Sequence, residues 1–263
     1  MKKITSASNP AFKRLRQLVE SSRERRLSGL SVLDGIHLVQ AYQGGGHRPE
    51  QLVVSEAGLK NNEIKQIVNK LSSIEILEVG DGLFKQLSQL ATPSGILAVV
   101  KTPRPQPVPR DMDSCVLLED LQDPGNLGSI LRVAAAAGVR HVLLSRNSVH
   151  AWSPRVVRAG MGAHFMLDIH EQADLLTAAS SFDGKVLAAS RGAARSLYDT
   201  DLTGNVAFAF GNEGAGLSSP LRAAAHAEIS IPMPGGTESL NVAAAAAVCL
   251  FERVRQLAAG GRR

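Results

Sequence analysis

Three short polar stretches of the sequence contain residues that could bind a ligand or take part in catalysis. Each begins at the end of an apolar run, and they read LEDLQDPGNLGSILR, AFAFGNEGAGLS and IPMPGGTESLN. Glycines permit tight turns and close approach of the backbone to a bound molecule, while asparagine, glutamate, serine and arginine supply hydrogen bonds and charge. Because open α/β sheets bind ligands beyond the carboxyl ends of their strands, the three stretches could form one site.

These residues also have simpler explanations. Asn126 could be a helix N-cap, and Thr237 or Ser239 could cap the last helix. The glycines of GNEGAG could serve only turns, Arg132 could be a surface cation, and the alanines from 243 to 247 could reflect helix propensity alone. The sequence has no GxxxxGK[ST], GxGxxG, GxSxG or HExxH pattern. Its histidines are scattered, so we predict no metal site.

The chain reads as two α/β halves joined by a proline-rich segment. Prolines occupy every second position from Pro103 to Pro109, and each extends the residue before it. We predict a first domain of residues 1–105, a linker of 106–112 and a second domain of 113–263. The second half has the apolar runs SCVLLED, HVLLS, KVLAAS, NVAFAF and AEISI between helical stretches, which indicates a parallel sheet covered on both faces.

The first half alternates in the same way and predicts a smaller α/β domain that begins with one basic helix, from Pro10 to about Arg26. Residues 1–110 contain 16 lysines and arginines against 9 acidic residues, a net charge of +7, whereas residues 111–263 contain 13 against 15, or −2. The cations crowd KKITSASNPAFKRLRQLVESSRERR. This indicates either a surface for a polyanion such as RNA or a solvated helix face. Aromatic residues make up 4% of the chain, which favours phosphate contacts over base stacking.

Several features favour a cytoplasmic protein without a membrane partner. The longest apolar run, residues 242–251, is far shorter than the ~18 residues that a membrane helix needs. The basic N-terminus has no apolar core after it, so we expect no secretory signal. Cys115 and Cys249 each lie alone in an apolar run, as free thiols do in a reducing cytosol.

Taken together, DPGNLGSILR, FGNEGAGLS and IPMPGGTESLNVAAAAAV resemble the three signature motifs of the SpoU (TrmH-like) RNA 2′-O-ribose methyltransferases, part of the SPOUT superfamily. They occur in the family's order and approximate spacing. The segments ITSASNPAFKRLRQL and LDGIHLVQA resemble the substrate-binding domain that is often fused to this catalytic domain. Relatives commonly have glutamate where the second of these segments has Asp34.

The resemblance implies a C-terminal α/β domain with a parallel sheet and a deep trefoil knot, plus a smaller N-terminal α/β domain that binds RNA. It also implies S-adenosylmethionine as methyl donor, a ribose 2′-hydroxyl as acceptor and no metal. The fused domain favours large-subunit ribosomal RNA over transfer RNA. A homodimer is implied, with the last helix in its interface and the active site nearby.

The resemblance also assigns residues. It places cofactor binding on Gly211, Asn212, Gly216, Ile231, Met233 and Leu240. It places substrate binding and catalysis on Asn126, Arg132, Glu213, Ser239 and Asn241. A guanidinium with a pKa above ~12 rarely loses its proton. We therefore expect Arg132 to grip the target phosphate and stabilise the developing alkoxide, oriented by Asn126 and Glu213, although the sequence leaves open whether it takes the proton itself.

Other functions remain open at this point. A tRNA 2′-O-methyltransferase would share all three motifs, and an antibiotic-resistance role at the ribosome would too. A non-catalytic RNA-binding or ribosome-assembly protein of the same fold would have damaged motifs, whereas the polar positions are all present. A methyltransferase acting on a base nitrogen has different signatures, and a nucleotide-dependent oxidoreductase would need the missing GxGxxG. Calorimetry is a simple discriminator, with S-adenosylmethionine as the ligand for the non-catalytic and base-methylating alternatives and NAD(P) as the ligand for the oxidoreductase.

Overall fold

A computed structural model describes residues 1–104, 107–109 and 111–260. Its strands are β1 (Lys2–Ile4), β2 (Leu30–Asp34), β3 (Gln51–Ser55), β4 (Glu75–Val79), β5 (Ile96–Lys101), β6 (Ser114–Leu118), β7 (His141–Leu144), β8 (Asp168–His170), β9 (Lys185–Ala189), β10 (Arg195–Ser196), β11 (Val206–Phe210) and β12 (Ala227–Ser230). Its α-helices are α1 (Pro10–Glu20), α2 (Ser22–Ser28), α3 (Ile36–Gly44), α4 (Asn62–Lys70), α5 (Asp81–Leu87), α6 (Pro124–Ala136), α7 (Pro154–Gly160), α8 (Leu175–Ser181), α9 (Ser219–Ala224) and α10 (Val242–Gly260).

The chain divides into two compact units. The first contains Met1–Arg104 together with Trp152–Phe165, and the second contains Pro105–Ala151 and Met166–Arg263. The predicted linker of residues 106–112 includes Gln106 and Arg110, which lie outside the described residues. The predicted domain bounds stay a prediction, and they did not anticipate that α7 would belong to the first unit.

The first unit is built on a mixed five-stranded sheet with the order β1-β4-β3-β5-β2. Strand β5 runs antiparallel to β2 and β3, whereas β1, β3 and β4 are parallel. Helix α1 buries Phe12, Leu15 and Leu18 in the same core as Val53 and Leu77 of the sheet. The alternation of strands and helices in this half of the sequence therefore reflects a real α/β unit.

The basic segment forms two helices and not the single helix predicted from Pro10 to Arg26. Ser21 has an extended backbone and its hydroxyl accepts a hydrogen bond from the Glu24 amide, so it ends α1 and caps α2. Arg25 is only 4% exposed, and it donates to the carbonyls of Leu18 and Val19 at 2.7 and 3.0 Å. Arg25 thus satisfies the carbonyl end of α1, while Lys13, Arg14 and Arg23 are exposed.

Asp34 lies at the buried end of β2. Its carboxylate accepts hydrogen bonds from the Ser88 hydroxyl at 2.8 Å and the Gln89 amide at 2.9 Å. Burial raises its pKa, and the hydrogen bonds together with the charge of Arg158 on α7 counteract part of that effect. Arg158 also donates to the Gln89 carbonyl at 3.4 Å. This carboxylate therefore organises the interior of the first unit.

The second unit contains a seven-stranded, fully parallel sheet with the order β10-β12-β9-β11-β6-β7-β8. The five apolar runs of this half are the strands β6, β7, β9, β11 and β12, so the prediction of a parallel sheet is confirmed. Strands β8 and β10 have three and two residues, too few to show a pattern. No described helix is both long and apolar enough to cross a membrane.

The strand order decides which loops meet at the carboxyl edge of this sheet. In the run β12-β9-β11-β6, the loop after β9 lies between the loops after β12 and β11, and the segment that leads into α6 follows β6. Helix α10 packs on α6. All three polar stretches of the sequence therefore reach the same edge of the sheet.

Candidate active site

The first polar stretch turns into helix α6 through a capped end. The Asp123 side chain accepts a hydrogen bond from the Asn126 amide at 2.7 Å, and Pro124 opens the helix. Asp123 is therefore the N-cap. Since Asn126 is not needed as a cap, its side-chain amide is available for other contacts.

Hydrogen bonds join three polar side chains, one from each polar stretch. Asn241 donates from Nδ2 to Oδ1 of Asn126 at 2.8 Å, and Asn126 donates from Nδ2 to Oε1 of Glu213 at 3.1 Å. Residues 115 positions apart are thereby held in one chain of contacts. We call Asn241, Asn126 and Glu213 the amide–carboxylate chain. Both ends of the Asn126 amide are engaged, which fixes its orientation.

Glu213 is held as a carboxylate. Its oxygens also accept from the amides of Gln122 at 3.4 Å and Asp123 at 3.3 Å. Burial acts to raise the pKa of Glu213, but the hydrogen bonds from the Asn126 side chain and from backbone amides outweigh it and lower the pKa overall. Glu213 is therefore anionic at neutral pH and tethers the loop after β11 to the turn before α6.

Asn241 has a second role, because it caps the last helix. Its Oδ1 accepts from the amides of Ala243 at 2.9 Å and Ala244 at 3.3 Å. The cap is therefore Asn241, not Thr237 or Ser239. One side chain closes α10 with its oxygen and holds Asn126 with its nitrogen.

The loop after β11 is tightly closed on itself. Asn212 and Gly216 exchange backbone hydrogen bonds at 3.1 and 2.9 Å. The Asn212 side chain accepts from the amides of Gly214 and Ala215 and donates to the carbonyl of Asp120 at 2.8 Å. Gly216 has a φ of +72°, and a Cβ on Gly211 would lie well under 3.0 Å from the backbone of Gly216 and Leu217. Only glycine at position 211 allows this loop to close.

A cavity of about 750 Å³ opens among these loops in the second unit. Its lining includes all six residues predicted to bind the cofactor, namely Gly211, Asn212, Gly216, Ile231, Met233 and Leu240. It also includes four of the five predicted for substrate and catalysis, namely Asn126, Glu213, Ser239 and Asn241. The volume is within the range of about 300–1,000 Å³ typical of small-molecule sites. The structure therefore brings ten predicted residues to one concave surface.

Arg132 is placed differently from the other predicted residues. It is exposed on α6, and it is not among the residues that line the cavity. Asn126 and Glu213, which were expected to orient it, are hydrogen-bonded to each other, and Asn126 also accepts from Asn241. Within the described part of the chain, the side chain of Arg132 makes no hydrogen bond or ion pair with another residue. Its guanidinium is thus accessible to a large ligand outside the cavity.

Sequence reasoning missed a fourth loop, Ser190 to Gly192 after β9, together with Arg222 and Cys249. The loop lines the cavity because β9 lies between β11 and β12, and its polar residues at a strand end were the available signal. Burial raises the pKa of Cys249 to about 12, so its thiol stays protonated and serves as apolar wall. No described group of three His, Cys, Asp or Glu side chains could hold a metal ion.

Both halves of the chain are similar to known protein families. Residues 113–251 match the SpoU rRNA methylase family, and residues 9–98 match an MRM3-like substrate binding domain. An uncharacterized tRNA/rRNA methyltransferase of Synechocystis is 31% identical over 260 residues, which cover 96% of this chain and 93% of that protein. The 23S rRNA (guanosine(2553)-2′-O)-methyltransferase RlmP of Bacillus subtilis is 28% identical, with 95% and 98% covered.

A solved structure extends the likeness to three dimensions. The AdoMet-bound rRNA methyltransferase from Sinorhizobium meliloti superposes with a TM-score of 0.85 at 28% identity, covering 97% of this chain and 98% of that chain. The family match spans more than half of the sequence and includes the amide–carboxylate chain and the cavity. The chain therefore belongs to the SpoU rRNA methylase family.

Proposed function

We propose that the protein is an S-adenosylmethionine-dependent methyltransferase that methylates a ribose 2′-hydroxyl in large-subunit ribosomal RNA. The observation that carries this proposal is the amide–carboxylate chain, which links all three signature segments at the wall of the cavity. A protein that had kept the fold without the chemistry would be free to lose these polar contacts. The relatives named above as rRNA methyltransferases support the same activity.

The cavity residues fit S-adenosylmethionine. A closed loop whose Gly211 leaves no room for a side chain presents backbone to the cavity, and Leu240, Ile231 and Met233 supply apolar contacts. When bound, S-adenosylmethionine supplies an activated methyl group on a sulfonium, so the protein has no leaving group to activate. The protein's task is to align the hydroxyl with the methyl group and to help remove one proton.

The polar residues divide this task by position. Glu213, Asn126 and Asn241 hold three segments in a fixed arrangement, and Ser239 adds a hydroxyl to the same wall. Arg132, exposed and outside the cavity, can reach a phosphate of a large substrate and stabilise negative charge on its ribose oxygen. Preorganised groups of this kind need no rearrangement during the reaction.

A map of 2′-O-methylated positions in cellular RNA, with and without the gene, tests the function. We expect one position in large-subunit ribosomal RNA to lose its methyl group, and wild-type protein but not an Arg132→Ala variant to restore it. Loss of a methyl group from transfer RNA instead would show that transfer RNA is the substrate. An unchanged map would contradict the proposed activity.

The exposed cations of α1 and α2 should bind RNA mainly through phosphates. Lys13, Arg14 and Arg23 are exposed there, and neutralising all three with glutamine should flatten the plot of log affinity against log salt by roughly 0.7–0.9 for each lost contact. The affinity of the triple variant for RNAs of unrelated sequence should fall by similar factors, because phosphate contacts do not specify sequence. Arg25 is left intact, since it holds the end of α1.

Filter-binding titrations at several salt concentrations measure this slope. The control is Lys101→Gln, which removes an exposed cation that pairs with Glu50 at 3.3 Å. A triple variant with the wild-type slope and affinity would show that the segment is only a solvated helix face.

We further propose a homodimer whose interface includes α10. One stripe of this helix carries Ala244, Val248 and Phe251, followed by the exposed Arg255 and by Ala258, and Phe251 is 47% exposed although it is a large apolar side chain. Phe251→Glu should therefore give the monomer mass in light scattering at micromolar concentration, while Leu176→Glu, at an exposed leucine of α8, should not. A monomeric wild-type protein would end this proposal.

Two further parts of the proposal concern location and topology. Cys115 and Cys249 are buried free thiols, which supports a reducing compartment such as the cytoplasm. The trefoil knot implied by the family stays a prediction.

A further inference from the structure

We propose that Arg191 binds the α-carboxylate at the amino-acid end of S-adenosylmethionine, a role that rests on the proposed function of the cavity. The cofactor has one anionic group, this carboxylate. Among the described residues that line the cavity, the cationic side chains are Arg191 and Arg222. A guanidinium can bind a carboxylate through two parallel, charge-assisted hydrogen bonds, which are stronger than bonds between neutral groups.

The position of Arg191 in the sheet favours it over Arg222. Arg191 follows β9, whose neighbours on either side are β11 and β12. The loops after those two strands contain Gly211, Asn212, Ile231 and Met233 of the cavity wall. Arg191 therefore stands between the two segments that enclose the ligand, whereas Arg222 lies in the last turn of α9.

The ion pairs that the two arginines make also favour Arg191 as the ligand of the carboxylate. Arg191 faces Glu238 at 3.8 Å, and their side chains are 62% and 91% exposed. Such a long, solvated pair contributes little and can be given up when an anion enters the cavity. Arg222 pairs with Glu228 of β12 at 3.6 Å, and both side chains are more shielded. Arg191 is therefore the cation that can change partner at low cost.

Isothermal titration calorimetry with S-adenosylhomocysteine and its decarboxylated counterpart tests the assignment without any methyl transfer. We expect Arg191→Gln to weaken S-adenosylhomocysteine about tenfold and to leave the decarboxylated ligand within about twofold, because only the first has the carboxylate. The affinity of Arg191→Lys for S-adenosylhomocysteine should lie between those of wild type and Arg191→Gln, because lysine keeps the charge but lacks the planar guanidinium. Arg222→Gln and Glu238→Gln should each stay within about threefold of wild type for both ligands.

Three results would overturn the assignment. They are unchanged S-adenosylhomocysteine affinity in Arg191→Gln, equal weakening of both ligands, and selective loss in Arg222→Gln, which would move the carboxylate to that residue. If wild-type protein binds neither ligand, the proposed cofactor falls together with the subsite. If wild type binds both and only the Arg191 pattern fails, the proposed function stands and the subsite does not.

Discussion

Arg132→Ala should lower the rate of methyl transfer by about 10²–10⁴ at saturating RNA and cofactor, the usual cost of losing a group that stabilises developing charge. Affinity for S-adenosylhomocysteine should stay within about threefold, because Arg132 is exposed on α6 and does not line the cavity. Arg132→Lys should recover part of the rate, since it keeps the charge without the planar fork. Single-turnover kinetics and calorimetry measure the two quantities separately.

Arg140 offers a matched control for this experiment. It is another exposed cation shortly after α6, and it pairs with Asp168 at 2.7 Å. Arg140→Ala should change the rate less than twofold, because it touches neither the cavity nor the amide–carboxylate chain. An Arg132→Ala enzyme within a few-fold of wild type would remove Arg132 from the catalytic assignment.

The parts of the fold that follow from local pattern could be predicted from the sequence. Runs such as SCVLL and VAFAF are apolar throughout, and both are central strands buried on two faces. The alanines predicted helix α10, but its cap is Asn241 and not Thr237 or Ser239, because several polar residues precede the helix and local pattern does not choose among them. The start of α6 is set by Asp123 and Pro124, and not by Asn126 as the sequence suggested.

The parts that depend on distant contacts could not be predicted. The break at Ser21 depends on whether the serine hydroxyl turns back onto the Glu24 amide, and helix propensity alone does not decide that. Trp152–Phe165 lies between two strands of the second sheet in sequence, yet it packs in the first unit. The loop after β9 lines the cavity only because β9 lies between β11 and β12, an order that no local pattern contains.

The candidate site illustrates both cases in its side chains. Asn126, Glu213 and Asn241 could be selected by the resemblance of their segments to the family's motifs, and the convergence of loops beyond parallel strands predicted that these segments meet. Their pairing could not be predicted, since the sequence suggested only that Asn126 caps the helix or orients Arg132. The structure gives the cap to Asp123 and makes Asn126 the bridge. Arg132 consequently has a phosphate of the substrate as its expected partner, and not a residue of the protein.

Gly211→Val should weaken the binding of S-adenosylhomocysteine by about five- to 150-fold. Any Cβ at position 211 would collide with the backbone of Gly216 and Leu217, and backbone cannot move aside as a flexible side chain can. Opening the loop would break the hydrogen bonds between Asn212 and Gly216 and displace cavity wall on both sides of Glu213. Overpacking of this kind costs about 1–3 kcal/mol of stability. Because the cost falls on the closed loop that forms the cavity wall, the same energy taken from binding corresponds to a loss of about five- to 150-fold in affinity.

Gly214→Ala is the matched control, because it lies in the same loop and its Cβ would meet only the Asn212 side-chain oxygen at 3.5 Å, an ordinary contact. It should keep the affinity within about threefold. Circular dichroism and thermal unfolding of both variants separate a local effect from general unfolding, and Gly211→Ala provides a milder version if the valine protein does not fold. Because even one methyl group at position 211 meets backbone, Gly211→Ala should already weaken binding clearly more than Gly214→Ala. Equal affinities for the two alanine variants would show that closure of this loop is not what shapes the cofactor cavity.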